Sequence, residues 1–95
     1  NWYNKNTDDL CKAILSLQTK EECYAFLEDI CTIKEVQDMA QRLDTAVLLD
    51  GGVNYQTISQ QVGVSTATIS RVNRSLVYGA EGYKLALERM HEEED

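Results

Sequence analysis

The residues with the clearest chemical character lie between positions 51 and 80, where Arg71 and Arg74 occur without a single acidic residue. The rest of the chain is acidic: residues 1 to 50 carry ten acids and five bases, and residues 81 to 95 carry six acids and two bases. A surface that approaches nucleic-acid phosphates needs positive charge and few carboxylates. The segment therefore indicates a nucleic-acid-binding surface, although the whole chain has a net charge of -7.

The spacing of apolar residues after Ser65 predicts a helix with one buried and one exposed face. If Ile69, Val72 and Leu76 face a core, the residues on the other side of the helix must face outward. Hydroxyl and methyl groups near the start of such a helix suit base edges, and arginine suits phosphates or bidentate contact with guanine. The predicted partner is double-stranded DNA, and the candidate DNA contacts at the start and on the outward face of this helix are Ser65, Thr66, Ala67, Ser70, Arg71 and Arg74.

A shorter helix and a tight turn precede this helix, so that residues 55 to 74 form a predicted helix-turn-helix. Ser59 is small where the two helices approach closely, Gly63 permits a left-handed turn, and Ser65 is suited to cap the second helix. The amides at the starts of both helices are candidates to bind phosphate. An ordinary helical hairpin is the alternative, but apolar residues occupy every position where the pair would pack: Ile58, Val62, Val64, Ile69 and Val72.

The other segments are also predicted to be helical, which gives an all-α fold of six helices in a single domain, residues 1 to 95. Thr7 is the expected N-cap of the first helix, and Thr19 and Thr32 open the next two with the capping-box pattern. The third helix is the longest and ends at the glycine pair 51–52. A sixth amphipathic helix is predicted from the spacing of Tyr83, Leu87 and Met90.

Cysteine and histidine give no sign of a metal site. Cys11, Cys23 and Cys31 lack the C-x-x-C spacing and are expected to be buried, reduced thiols, and His91 stands alone in an acidic run. No histidine accompanies a nucleophile, so we expect no catalytic residues, no enzymatic activity and no required cofactor. The sequence also lacks a long apolar run and a signal-peptide pattern, which predicts a cytoplasmic protein.

Several stretches between about residues 19 and 83 match a known family pattern: EECYAFLEDICTIKE, MAQRL, STATISRVNR, and Tyr78 and Tyr83 around glycines. They resemble the Trp repressor-like proteins, and within them the YerC/YecD group of small helix-turn-helix proteins from Gram-positive bacteria. The resemblance implies a homodimer that interlocks its outer helices and presents two copies of the helix-turn-helix of residues 55 to 74, here called the reading head. It also makes Gln56 and Ser59 candidate DNA contacts, but both stand where Trp repressor carries basic residues. This departure predicts a DNA affinity that is modest or that depends on another ligand.

The same resemblance implies an effector pocket beside the reading head. Thr32, Arg42, Arg71 and Ser75 keep the residue types of the tryptophan pocket of Trp repressor, but Val72 stands where that protein has glycine. A branched side chain in a tight site costs about 1 to 3 kcal/mol. Tryptophan is therefore not the expected effector. The sequence leaves two alternatives: a permanently filled pocket with constitutive binding, or a small anionic carboxylate or phosphate compound as the effector.

Two classes of function follow from these observations. The first is a sequence-specific transcriptional regulator, expected to be a repressor, that binds half-sites about 10 base pairs apart as a homodimer. The second is a protein-interaction module that keeps the helix-turn-helix shape without specific DNA binding, an alternative favoured by the low positive charge of the head. Salt distinguishes the two classes, because phosphate contacts make DNA affinity fall steeply with salt.

Overall fold

The computed structural model describes residues 1–94, which form six α-helices and no β-strand. The predicted all-α fold of six helices is confirmed, and Asp95 of the acidic end lies outside the described residues. The chain divides into two compact units, Asn1–Val36 and the residues from Gln37 onward, and the single domain stays a prediction. The helices are α1 (Lys5–Ser16), α2 (Lys20–Ile30), α3 (Ile33–Asp50), α4 (Tyr55–Val62), α5 (Thr66–Tyr78) and α6 (Gly82–Glu94).

Helix α1 begins earlier than the sequence pattern predicts. Asn4, and not Thr7, is its N-cap: the Asn4 side chain accepts the Thr7 N–H at 3.0 Å, and the Asn4 N–H donates to the Thr7 hydroxyl at 2.8 Å. Thr7 therefore serves as the third residue of the helix, where its hydroxyl completes the reciprocal cap. The prediction placed the cap one turn too late because Thr7 and the acids after it also resemble a helix start.

Capping side chains also set the starts of α2 and α3, as predicted. Thr19 accepts the Glu22 N–H at 3.1 Å, although the Glu22 carboxylate accepts from the Gln18 N–H and not from that of Thr19. Thr32 and Glu35 form the complete reciprocal pair: the Thr32 N–H donates to the Glu35 carboxylate at 2.8 Å, and the Glu35 N–H donates to the Thr32 hydroxyl at 3.1 Å. The Thr32 N–H, followed by the Thr32 hydroxyl, holds the pKa of the Glu35 carboxyl below its ordinary value.

The helices of the first unit bury no side chain within the chain. Neither α1 nor α2 contains a buried residue, and Cys11 and Cys23 are exposed. The prediction of buried thiols is therefore wrong for these two residues in the chain, while Cys31 is half-buried. The apolar faces of α1 and α2 are therefore exposed in the single chain, which is typical of a surface that contacts a partner.

The core of the second unit lies where α3, α4 and α5 meet. Helix α5 buries Ile69, Val72 and Leu76, which confirms the predicted buried face. Thr45 is a fully buried polar residue, and its hydroxyl donates to the Gln41 carbonyl at 2.8 Å, so the polar group is satisfied. The buried apolar residues of this core are Ala46, Ile58, Ile69, Val72 and Leu76.

The turn between α4 and α5 depends on one glycine and two serines. Gly63 has φ 83° and ψ 31°, in the left-handed region, and its N–H donates to the Ser59 carbonyl at 3.0 Å. The Ser59 hydroxyl donates to the Val64 carbonyl at 2.7 Å, and the Ser65 side chain accepts the Thr68 N–H at 3.1 Å. The predicted turn, including the cap at Ser65, is confirmed.

Helix α5 ends at a second required glycine. The Gly79 N–H donates to the Ser75 carbonyl at 2.9 Å. A Cβ at position 79 would overlap that carbonyl oxygen, so the backbone approach at this helix end excludes any side chain.

Replacement of Gly63 by alanine should strain the turn. A side chain at the Gly63 φ of 83° costs about 1 to 2 kcal/mol, although the space around it is open. We expect Gly63→Ala to lower the free energy of unfolding by this amount in urea denaturation. Gly82→Ala is the matched control, because Gly82 has open space and no positive φ. Equal stabilities of the two variants would contradict this account of the turn.

Loss of the Ser59 hydroxyl should destabilise the same turn. Ser59→Ala removes the donor to the half-buried Val64 carbonyl, and one such hydrogen bond contributes about 1 kcal/mol. Ser70→Ala makes the same chemical change at an exposed position of α5 and controls for helix propensity. Thermal unfolding of the two variants measures the difference, and a Ser59 variant as stable as the Ser70 variant would show that the bond has no structural value.

Candidate nucleic-acid interface

The exposed face of α5 carries the residues that the sequence pattern predicts to contact DNA. Burial of Ile69, Val72 and Leu76 fixes the rotation of the helix about its axis. The opposite face is then solvent-exposed, because side chains three and four positions apart share a face. The exposed residues on it are Thr66, Ala67, Ser70, Arg71 and Arg74.

Helix α4 contributes a smaller part of the surface. Gln56 is exposed in its first turn, whereas Ser59 is half-buried with its hydroxyl engaged by Val64. Ser65 is exposed, but its hydroxyl caps Thr68 by accepting the Thr68 N–H and donating to the Thr68 hydroxyl at 3.1 Å. These bonds favour structural roles for Ser59 and Ser65. Of these three residues, only Gln56 has a side chain without a hydrogen bond to another described residue.

The amino-terminal ends of α4 and α5 offer backbone donors. Asn54 caps α4 by accepting the Thr57 N–H at 2.9 Å, and Ser65 caps α5 in the same way. Each cap satisfies the third amide of its helix and leaves the first two without an intrahelical acceptor. In α5 these are the amides of Thr66 and Ala67, whose orientation and helix dipole suit a phosphate oxygen.

Positive charge on this surface comes from two side chains. Ser70, Arg71 and Arg74 line a shallow hollow of about 250 Å³. Neither arginine takes part in an ion pair within residues 1–94, so both guanidinium groups remain available to a phosphate or to a guanine edge. Seven of the eight predicted contact residues are exposed, and the surface contains no carboxylate of its own.

A second hollow, of about 230 Å³, lies on the inner side of α5. Arg42 of α3, Arg71 and the buried Val72, three residues of the predicted effector pocket, line this hollow together. Val72 is 3% exposed and forms part of the wall. The full lining is Asp38, Gln41, Arg42, Val64, Thr68, Arg71 and Val72. Arg71 therefore lines both this inner hollow and the outer hollow on the exposed face of α5.

One residue of the predicted pocket within the second unit lines a different hollow. Ser75 lines another hollow, of about 490 Å³, together with Leu43, Tyr83 and small residues around Gly79. It lies one turn beyond Val72 on α5, where the chain turns toward α6. Thr32 belongs to the first unit, where its hydroxyl and its N–H are both used in the cap with Glu35.

Four lining residues of the inner hollow were not predicted to belong to the pocket: Asp38, Gln41, Val64 and Thr68. For two of them, helical spacing could have predicted a place in the pocket. Asp38 is four residues before Arg42 on α3, and Thr68 is three residues before Arg71 on α5, so each shares a face with a predicted pocket residue. The carboxylate of Asp38 partly offsets the two guanidinium groups, which leaves the described lining with one net positive charge.

The described residues do not form a metal site or a membrane-crossing segment. Among residues 1–94, no group of three or more histidine, cysteine or carboxylate side chains comes together. No helix in the same part of the chain is both long and apolar enough to cross a bilayer.

Comparison with known proteins assigns the family. Residues 5–91 match the family model described as Trp repressor protein. The uncharacterized protein YerC of Bacillus subtilis (strain 168) is 51% identical over 90 residues, which cover 95% of this chain and 86% of YerC.

Two solved structures share the fold. One is a crystal structure of a candidate Trp repressor from Staphylococcus aureus, with 47% identity and a TM-score of 0.90 over 94% of this chain and 89% of that one. The other is a TrpR-like protein from Eubacterium eligens ATCC 27750, with 45% identity and a TM-score of 0.90 over 93% and 91% of the two chains. This chain therefore belongs to the Trp repressor protein family.

Proposed function

We propose that the protein is a sequence-specific DNA-binding transcriptional regulator that reads a major groove with α5. One observation carries the proposal: the buried face of α5 leaves Ala67, Ser70, Arg71 and Arg74 exposed together on a surface without acids. The first residues of the exposed face meet base edges in helix-turn-helix proteins. The hydroxyl and methyl groups supply modest base discrimination, and the two arginines supply phosphate or guanine contacts.

The proposed active form is a homodimer. Helices α1 and α2 bury no side chain within the chain, yet they expose Leu15, Tyr24 and Ile30, with exposed fractions of 82%, 67% and 53%. Apolar surface of this extent needs a covering partner. A second copy that interlocks its outer helices with the first would cover it and would place two reading heads on one duplex, consistent with family membership.

Repression and a cytoplasmic location complete the proposal. A protein that occupies an operator blocks other proteins from the same DNA without further machinery, and the family name points in the same direction. We propose no catalytic activity, consistent with membership of the Trp repressor protein family.

A protein-interaction module is the second candidate function. It is favoured by the neutral character of most of the exposed face, where Gln56, Thr66, Ala67 and Ser70 outnumber the two arginines. The two functions differ in their salt dependence, since each phosphate contact adds roughly 0.9 to the slope of log affinity against log salt. A neutral protein interface would show little dependence.

Selection of bound duplexes from random DNA tests the proposed function. We expect wild-type protein to enrich a two-fold symmetric site with half-sites about 10 base pairs apart. Arg71→Ala and Arg74→Ala should each weaken binding and, where the arginine contacts phosphate, reduce the salt slope by about one unit. Arg89→Ala is the matched control, because Arg89 is exposed on α6 outside the acid-free segment. Failure to enrich any sequence would favour the interaction module.

The inner hollow is proposed to hold an effector other than tryptophan. Val72 is buried in the wall, so a bulky indole would displace a packed side chain at a cost of about 1 to 3 kcal/mol. Arg42 and Arg71 suit a small carboxylate or phosphate compound. Exclusion of tryptophan by Val72 is also compatible with binding to DNA without any effector.

Calorimetric titration with tryptophan tests the role of Val72. We expect no stoichiometric heat from wild-type protein and measurable binding to Val72→Gly, which removes the branched side chain. Circular dichroism of the variant controls for loss of the fold, since the change also opens part of the core. Tight one-to-one tryptophan binding by the wild-type protein would refute the proposed exclusion.

A further inference from the structure

A polar contact connects α3 to the end of the first helix of the reading head. The Gln41 side-chain Nε2 donates to the Val62 carbonyl at 3.4 Å, between residues 21 apart in sequence. Both residues are half-buried. The bond therefore joins α3, which contributes Thr45 and Ala46 to the core of the second unit, to the point where the chain enters the turn between α4 and α5.

The acceptor needs a partner because of its place in α4. Val62 is the last residue of the helix, and the carbonyls of a final turn have no intrahelical donors. The neighbouring Gly63 N–H is already bound to the Ser59 carbonyl. Gln41 satisfies the Val62 carbonyl from outside the motif, which defines where the end of α4 lies relative to α3.

The apolar attachment of α4 is small. The helix has eight residues, and Ile58 is its one buried side chain among the described residues. A single buried side chain provides few apolar contacts with which to fix the orientation of the helix. A hydrogen bond at the carboxyl end of the helix adds a directional constraint, because its strength depends on donor–acceptor distance and angle.

We propose that Gln41 is a positioning residue of the reading head: through the Val62 carbonyl it fixes α4, and with it the Gly63 turn and the start of α5. This inference rests on the proposed function for its effect on DNA, but the structural part stands without DNA. Gln41 does not touch the DNA-facing surface; it acts through the turn that sets the direction of Thr66 and Ala67.

Four variants test the proposal. Gln41→Met keeps the length of the side chain and removes the donor, whereas Gln41→Lys keeps a donor. Gln37 provides matched controls, because it lies one turn earlier on α3 and is exposed. Gln37→Met controls for the change of side chain, and Gln37→Lys controls for the added positive charge.

The first measurement is the amide ¹⁵N shift of Gly63, which follows the Val62 carbonyl directly in the chain. We expect it to change in Gln41→Met, to return toward the wild-type value in Gln41→Lys, and to stay constant in both Gln37 variants. The second is affinity for the selected DNA site, which should fall roughly twofold to tenfold in Gln41→Met, the range expected for one hydrogen bond. Gln41→Lys should regain most of the loss relative to Gln37→Lys.

Two results would overturn the proposal. One is an unchanged Gly63 shift in Gln41→Met, which would show that the bond does not hold the turn. The other is a changed shift with DNA affinity equal to that of Gln37→Met, which would show that the bond does not position the head. If the wild-type protein selects no DNA, the proposed function fails, and the Gly63 shift still decides whether Gln41 holds the turn.

Discussion

The rotation of α5 about its own axis is fixed by three apolar side chains, Ile69, Val72 and Leu76, and the rest of the surface depends on this constraint. These residues are 0%, 3% and 7% exposed, so turning the helix by even one position would bring apolar groups into water. The same burial directs Ser70, Arg71 and Arg74 outward. A packing requirement in the core thus determines which side chains can meet a polyanion.

The second constraint is electrostatic. A chain with a net charge of -7 is repelled by DNA as a whole, and attraction is confined to the surface from which acids are absent. Because that surface has two arginines, the proposed DNA complex would depend more on phosphate contacts from the backbone amides at the start of α5 than a complex of a strongly basic protein does. In that complex, few other orientations would bring positive charge to the phosphates, which would disfavour tight non-specific association.

Much of the fold and of the candidate surface could be predicted because the signals are local. The apolar spacing along α5 determines its buried face, and Gly63 with Ser65 marks the turn between two helices. The start of α1 was misplaced because Asn4 and Thr7 are both good caps, and only their mutual geometry decides between them. Cys11 and Cys23 follow an apolar pattern, but the chain alone supplies no surface that buries them. Gln41 was missed because its acceptor at Val62 lies 21 residues away.

Arg71 belongs to the walls of two hollows, the inner one with Arg42 and the outer one with Ser70 and Arg74. In a genetic screen this makes position 71 pleiotropic, since a single allele alters both surfaces at once and its phenotype cannot be attributed to either. Arg42 and Arg74 each line one hollow and form the separable pair of alleles. A substitution at position 71 that suits one hollow must therefore also be tolerated by the other hollow.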